Sequence, residues 1–354
     1  MKLKTSITSI ALGAVLLVLG VCAFVDSPSA APAPTPDSAM LINGAGATFP
    51  YPIYSKWFDE YHKLHPDLQF NYQSIGSGGG IRQIIAGTVD FGATDGPMTD
   101  EQLGQAKTKI LHFPTVMGAV VPTYNIQGVS QELNFTPEAL AGIFLGKITK
   151  WNDPAIAGPN KDVTLPDQDI VVVHRSDGSG TTYVWVDYLS KVSEEWKTKV
   201  GKNTSVNWPV GLGGKGNEGV SGLVKQTPGA IGYVELIYAA QNNMPYGKVK
   251  NSSGIFVKAD LASVTAAAAG AAKSMPDDFR VSITNSLGKA VYPIASFTWL
   301  LVPEKIEDSA KKKAIVDFLH WMLKDGQGMV EALSYAKLPK EVVAKETKAI
   351  SQVQ

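Results

Sequence analysis

Residues 70–87, FNYQSIGSGGGIRQIIAG, decide the fold class. Phe70, Asn71 and Tyr72 read as a strand, a Ser/Gly turn follows, and residues 80–86 continue with helical spacing. Ser77 is the natural N-cap of that helix, and Gly78, Gly79 and Gly80 let a ligand approach the backbone. The same design of strand, small-residue turn and helix occurs twice more. In LINGAGATFPYPIYSKWF, residues 41–58, Gly44 and Gly46 permit a tight turn, Thr48 can cap, and Pro50 suits a first helical turn. In IVVVHRSDGSGTTYVWVDYL, residues 170–189, Ser179, Gly180 and Thr181 open the helix.

Working outward, short apolar strands alternate with amphipathic helices from about Met40 onward, which is the pattern of an α/β protein. Further strands are expected at residues 40–42, 89–92, 170–174, 231–234 and 297–302. Helices are expected at 52–64, 137–144, 181–190, 219–225 and 308–323. The Ala-rich stretch 262–273 reads as a plain solvent-facing helix. In the helix at 308–323, Ile315, Phe318, Leu319 and Met322 form one apolar face, and packing is the expected role of His320 and Trp321. Trp151 and Trp196 read as packing anchors. Lys147 and Lys150 read as a solvated face. Lys215 is either a surface residue or a source of positive potential near a cleft.

A helix N-terminus offers unpaired N–H groups and a partial positive charge, so it is a ready anion site. The hydroxyls of Thr48, Ser77, Ser179 and Thr181 add donors, and Arg175 adds a planar fork suited to a tetrahedral oxyanion. Any one segment alone reads as an ordinary capped helix; three together with an arginine point to a shared anion pocket.

Thirty-two basic residues balance thirty-two acidic ones, which argues against a nucleic-acid partner. Lys2, Lys4 and the apolar run at 11–24 read as an export signal, because the run is shorter than the roughly 20 apolar residues of a spanning helix. The signal is expected at 1–23, with cleavage as late as residue 30, followed by a Pro/Ala-rich leader at 24–39. Cys22 is the one cysteine, so the mature domain has no disulfide. LGVC at 19–22 resembles a lipoprotein box except for Val21, which makes lipid anchoring the lesser alternative.

The stretches GAGATFP (44–50), IGSGGG (75–80), VDFGATD (89–95), LGKITKWN (145–152), RSDGSGT (175–181), GLGGKGN (211–217) and PGAIGYVE (228–235) occur in a consistent order. Together they resemble the substrate-binding protein of the bacterial phosphate-specific ABC transporter. The resemblance implies a bilobal periplasmic-binding-protein fold with two α/β lobes and a ligand cleft between them. It implies inorganic phosphate as ligand, and as partners a membrane-embedded ABC permease with cytoplasmic ATPase subunits. A periplasmic monomer is expected, with no cofactor and no metal. The lobes are expected at 40–119 with 293–354, and at 120–292.

Carried over motif by motif, the implied phosphate contacts are Ala47, Thr48, Phe49, Ser77, Asp95, Arg175, Ser179, Gly180 and Thr181, with Asp177 holding Arg175. From spacing alone Asp95 reads equally as a turn aspartate before Gly96-Pro97. The resemblance makes it the acceptor for a proton that phosphate keeps near neutral pH and sulfate lacks. The competing function is a phosphatase or other phosphoryl-transfer enzyme using Ser179 or Thr181. Such a nucleophile needs a base or metal. His174 neighbours Arg175 but points to the opposite strand face, and His62, His65, His112, His174 and His320 form no ligand motif. A serine hydrolase lacks its G-x-S-x-G elbow in DGSGT, 177–181.

Overall fold

The computed structural model describes residues 39–129 and 131–354. The expected signal segment, most of the leader and Cys22 lie outside the described residues. The first half of the domain runs β1 (Met40–Gly46), α1 (Tyr51–Leu64), β2 (Leu68–Ser74), α2 (Ser77–Ala86), β3 (Phe91–Thr94), α3 (Asp100–Gln105), β4 (Ile110–Asn125), β5 (Asn134–Phe135), α4 (Pro137–Phe144) and α5 (Pro154–Ala157). The second half runs β6 (Val171–Arg175), α6 (Gly180–Val192), α7 (Glu194–Lys199), β7 (Leu212–Gly214), α8 (Gly216–Gln226), β8 (Ala230–Glu235), α9 (Leu236–Gln241), β9 (Lys248–Lys250), β10 (Phe256–Val257), α10 (Leu261–Ala272), β11 (Ala295–Pro303), α11 (Ser309–Lys324) and α12 (Lys340–Ala349).

Eight strands form one curled sheet in the order β2-β1-β3-β11-β4-β8-β6-β7, and β10-β9-β5 form a small second sheet. β1 pairs in parallel with β2 and β3, and β6 pairs in parallel with β7 and β8. Parallel neighbours require crossover connections, which the helices supply. The two parallel groups meet through antiparallel β11 and β4. Residues Ile110 to Ala119 of β4 pair with β11, and Val120 to Asn125 pair with β8. One continuous strand therefore serves both α/β halves. This is the bilobal α/β architecture expected from the sequence.

β4 is buried along its length up to Tyr124 and was not among the expected strands. Pro114 and Pro122 lie within it, and proline removes a ladder donor, so the segment reads poorly as a strand. Pro114 falls where the register against β11 shifts, opposite Trp299 and beside Thr115. A bulge absorbs the missing donor there and re-aims neighbouring side chains.

Most expected elements form, with shifted ends. β3 occupies Phe91–Thr94, two residues later than expected. α2 begins at Ser77, so Gly76 takes the N-cap position expected for Ser77. Pro50, not Thr48, occupies the cap position of α1, and α8 starts three residues earlier than expected. α10 is not merely solvent-facing: Ser263, Val264, Ala267 and Ala268 are buried, and Asp260 and Ser263 close a capping box. Trp321 packs beside Tyr61 and Phe318, but His320 is exposed and takes no part in packing. Trp151 and Trp196 are fully buried anchors.

The core of the first lobe is aromatic. α1 sends Tyr54, Phe58 and Tyr61 toward Phe70, Tyr72, Phe91 and Phe318, with the Phe58 and Phe70 rings stacked at 5.0 Å. Offset and edge contacts of this kind are favourable beyond area burial. Gly118 sits at the partner change of β4, and a Cβ there would lie 2.7 Å from the Phe49 ring and 2.8 Å from Glu235 Oε1. Gly118→Ala is expected to destabilise the protein by about 1–3 kcal/mol. Urea unfolding measures this, and an unchanged midpoint would show that β4 has slack at the crossing.

Candidate functional site

The loops that follow β1, β2, β3, β6 and β7 all lie at the carboxyl ends of parallel strands, where open α/β sheets hold their ligands. Thr48 precedes α1, Ser77 opens α2, Asp95 follows β3, and Ser179 caps α6 by accepting the Thr182 N–H at 3.0 Å. All four are buried. The N–H groups of Thr48, Phe49, Ser77, Gly180 and Thr181 have no acceptor among the described residues. Buried N–H groups are almost always paired, so five such groups in one place call for an acceptor.

The two sides of the cleft touch. Gly78 N–H, at the start of α2, donates to Gly178 O before α6 at 2.9 Å. Tyr238 O–H donates to Thr48 O at 2.6 Å, and Asn217 Nδ2 donates to Thr48 Oγ1 at 2.8 Å. A Cβ on Gly180 would lie 2.3 Å from Ser77 Oγ and 2.4 Å from Asp95 Oδ2. Only glycine lets the α6 N-terminus approach the other side so closely. The structure thus brings Thr48, Ser77, Asp95, Arg175, Ser179, Gly180 and Thr181 around one buried point. Phe49 is buried beside them, its carbonyl held by Tyr335 O–H at 2.6 Å. Ala47 has both backbone groups committed, its N–H to Ala93 O and its carbonyl to Tyr72 O–H.

Arg175 is almost wholly buried and donates in a fork to Asp177, from Nε to Oδ1 at 2.8 Å and from Nη2 to Oδ2 at 2.6 Å. Its Nη1 lies 3.4 Å from Thr181 Oγ1. Asp177 also accepts the Gly216 N–H at 3.1 Å. Burial works against an ionised Asp177, but the Arg175 fork and this N–H outweigh it and hold its pKa below the ordinary value. The pair is neutral as a whole, so the site offers directed donors rather than net positive charge.

Asp95 is the exception among these donors. Its Oδ1 accepts from Thr298 O–H at 2.8 Å, and its backbone N–H donates to Ser77 Oγ at 3.1 Å. Burial dominates and pushes its pKa up to about 7, against the opposing pull of Thr298, Arg175 and Ser77. A carboxyl so poised can hold or release a proton near neutral pH.

Sequence reasoning missed Thr298, Asn217, Tyr238 and Glu235 as parts of the site. Thr298 lies on β11 beside the register shift. Asn217 and Glu235 end two of the resembling stretches, which was the available signal. Glu235 is wholly buried; its Oε2 accepts the Ile237 N–H at 2.7 Å, and its Oε1 has no partner. Burial first, then nearby Asp95, keeps its pKa well above the ordinary range. His174 turns away and stacks on Trp208 at 4.8 Å, so no histidine reaches Ser179 as a base. Lys215 is exposed, Lys147 pairs with Glu195, and Lys150 pairs with Asp167 and Asp169. Among the described residues no cluster of three or more His, Cys, Asp or Glu gathers to hold a metal.

A closed cleft of this kind, on two α/β lobes joined by a shared strand, defines a solute-binding protein. The PBP superfamily domain matches residues 28–325. The phosphate-binding protein PstS of Xylella fastidiosa is 47% identical over 315 residues, covering 87% of this chain and 86% of that protein. The PstS of Pasteurella multocida is 48% identical over 308 residues, covering 87% and 89%. The chain belongs to this PstS family of ABC-transport substrate-binding proteins and is a solute-binding component rather than an enzyme. Solved structures share the fold. A high-affinity periplasmic phosphate-binding protein bound with phosphate superposes with a TM-score of 0.69 at 22% identity, over 88% of this chain and 93% of that one. A phosphate-binding protein from Stenotrophomonas maltophilia gives 0.63 at 19% identity, over 88% and 94%.

The raised pKa of Asp95 makes a prediction for ligand-free protein. In the unfolded chain its carboxyl ionises near 3.8, whereas in the fold it ionises near 7. The folded state binds the proton more tightly, so stability falls as pH rises from about 4 to about 7, by up to roughly 4 kcal/mol. Asp95→Asn removes this dependence. The melting temperature of the variant relative to wild type should climb across that window and level off above it. A difference independent of pH would contradict the burial argument.

Proposed function

We propose that this protein captures inorganic phosphate outside the cytoplasmic membrane and hands it to an ABC importer. The observation that carries this reading is the buried ring of donors around one carboxyl. N–H groups at the starts of three helices, four hydroxyls and the Arg175 N–H groups left over from its fork to Asp177 suit the oxygens of a tetrahedral anion. Phosphate near neutral pH retains a proton, and Asp95 is the group that accepts it. Sulfate has none to give, and would set its oxygen against Asp95 in a dry cleft. A site that demands such a hydrogen bond can reject the analogue lacking it by about 10⁴–10⁵.

On this reading the contacts are Ala47, Thr48, Phe49, Ser77, Asp95, Arg175, Ser179, Gly180 and Thr181, with Asp177 holding the arginine fork. Ala47 lines the loop by position, since its backbone groups are committed elsewhere. The lobes are residues 40–119 with 293–354, and 120–292. The partner change of β4 between Ala119 and Val120, and the start of β11 at Ala295, support that division. Membership of the PstS family supports a part in ABC transport, and the reading completes it with a membrane-embedded permease, cytoplasmic ATPase subunits and a periplasmic monomer as the working form. Among the described residues no helix is long and apolar enough to cross a membrane.

Two variants test the reading by calorimetric titration at one pH and ionic strength. Arg175→Ala should weaken phosphate binding roughly 10- to 100-fold, the loss of hydrogen bonds to a charged group. Unchanged affinity would leave Arg175 a structural role only. Asp95→Asn replaces the acceptor with an amide that can donate. Sulfate should gain on phosphate, lowering the phosphate-to-sulfate affinity ratio by at least about tenfold. An unchanged ratio in a folded variant would show that selectivity comes from other groups.

A further inference from the structure

We propose that Asn217 is a positioning residue that turns Thr48 and Thr181 into donors only, so that neither competes with Asp95 for the ligand's proton. The proposal rests on the phosphate reading and deepens it. Asn217 stands in the first turn of α8 and is completely buried. Its Oδ1 accepts the Glu235 N–H at 3.0 Å. A backbone N–H can only donate, so that contact fixes the amide's orientation and turns Nδ2 the other way. Nδ2 then donates to Thr48 Oγ1 at 2.8 Å and to Thr181 Oγ1 at 3.1 Å.

A threonine hydroxyl has one proton and two lone pairs. Thr48 Oγ1 also faces the Asn217 N–H at 3.4 Å, and Thr181 Oγ1 faces Arg175 Nη1 at 3.4 Å. Each oxygen therefore meets two donors, one from Asn217 Nδ2 and one beside it. With both lone pairs directed at N–H groups, each hydroxyl proton points to the remaining direction, toward the ligand. Neither hydroxyl can then accept a P–O–H proton. A hydroxyl free to rotate would accept protonated and unprotonated oxygens alike and blunt discrimination. Asn217 also joins the two sides of the cleft, because Thr48 precedes α1 and Thr181 lies in α6.

A double-mutant cycle in phosphate affinity separates orientation from mere structural support. Asn217→Ala should weaken phosphate binding about tenfold in the wild-type background, from the loss of two oriented donors. In a Thr48→Val/Thr181→Val background, where no hydroxyl remains to orient, the same substitution should change affinity less than about twofold. Asn217→Asp keeps the shape but offers acceptors; both hydroxyls turn toward it, and binding should fall about 100-fold or more. Circular dichroism establishes that each variant is folded. An equal loss from Asn217→Ala in both backgrounds, with wild type binding phosphate normally, would overturn the orienting role alone. An Asn217→Asp variant that is folded and binds like wild type would do the same. Wild-type protein that fails to bind phosphate would overturn the phosphate reading and this proposal with it.

Discussion

Holding an anion in a buried site with directed dipoles and no excess of cations is the constraint on which the rest of this structure depends. Transferring an unpaired ion into a dry interior is prohibitive. The site meets this with oriented dipoles instead of excess cations. Arg175, the one full positive charge among the grouped residues, is matched by Asp177 in a two-point fork. The remaining donors are backbone N–H groups and hydroxyls whose own geometry is held by neighbours. The Arg175–Asp177 pair therefore adds no net charge, and the directed donors around it are complementary to an anion. It also needs no net charge on the protein, in keeping with the balance of acidic and basic residues.

The fold serves that constraint. Parallel strands aim their carboxyl ends and the following helix N-termini at one place, and antiparallel β4 and β11 carry that arrangement across both lobes. The register shift between these two strands lies beside Thr298, whose hydroxyl reaches Asp95. Gly180 and the Gly78–Gly178 contact allow the two sides of the cleft to meet at backbone distance, and burial there strengthens each polar contact inside.

Much of this was legible in the sequence. Strand, small-residue turn and helix recur at 41–58, 70–87 and 170–189 because that local design specifies its own geometry, and all three form. What was illegible has physical causes. β4 escaped notice because Pro114 and Pro122 interrupt it and because a strand buried on both faces shows no alternation. Thr298 and Tyr238 come from distant elements with no motif around them, so only tertiary packing reveals them. Asn217 lay in a quoted stretch, yet its hydrogen bonds join three partners far apart in the chain. The capping errors at Ser77 and Thr48 share an origin: both residues look like caps because they are small and polar, but their hydroxyls serve the cleft region instead.

The central claim is that a dry carboxylate demands a protonated oxyanion, and its most direct test is competition between two anions of similar shape. Wild-type protein, freed of ligand, is titrated with phosphate and with sulfate at one near-neutral pH and one ionic strength. The account predicts phosphate binding tighter than sulfate by at least about 10⁴-fold. Comparable affinities for the two anions would contradict it.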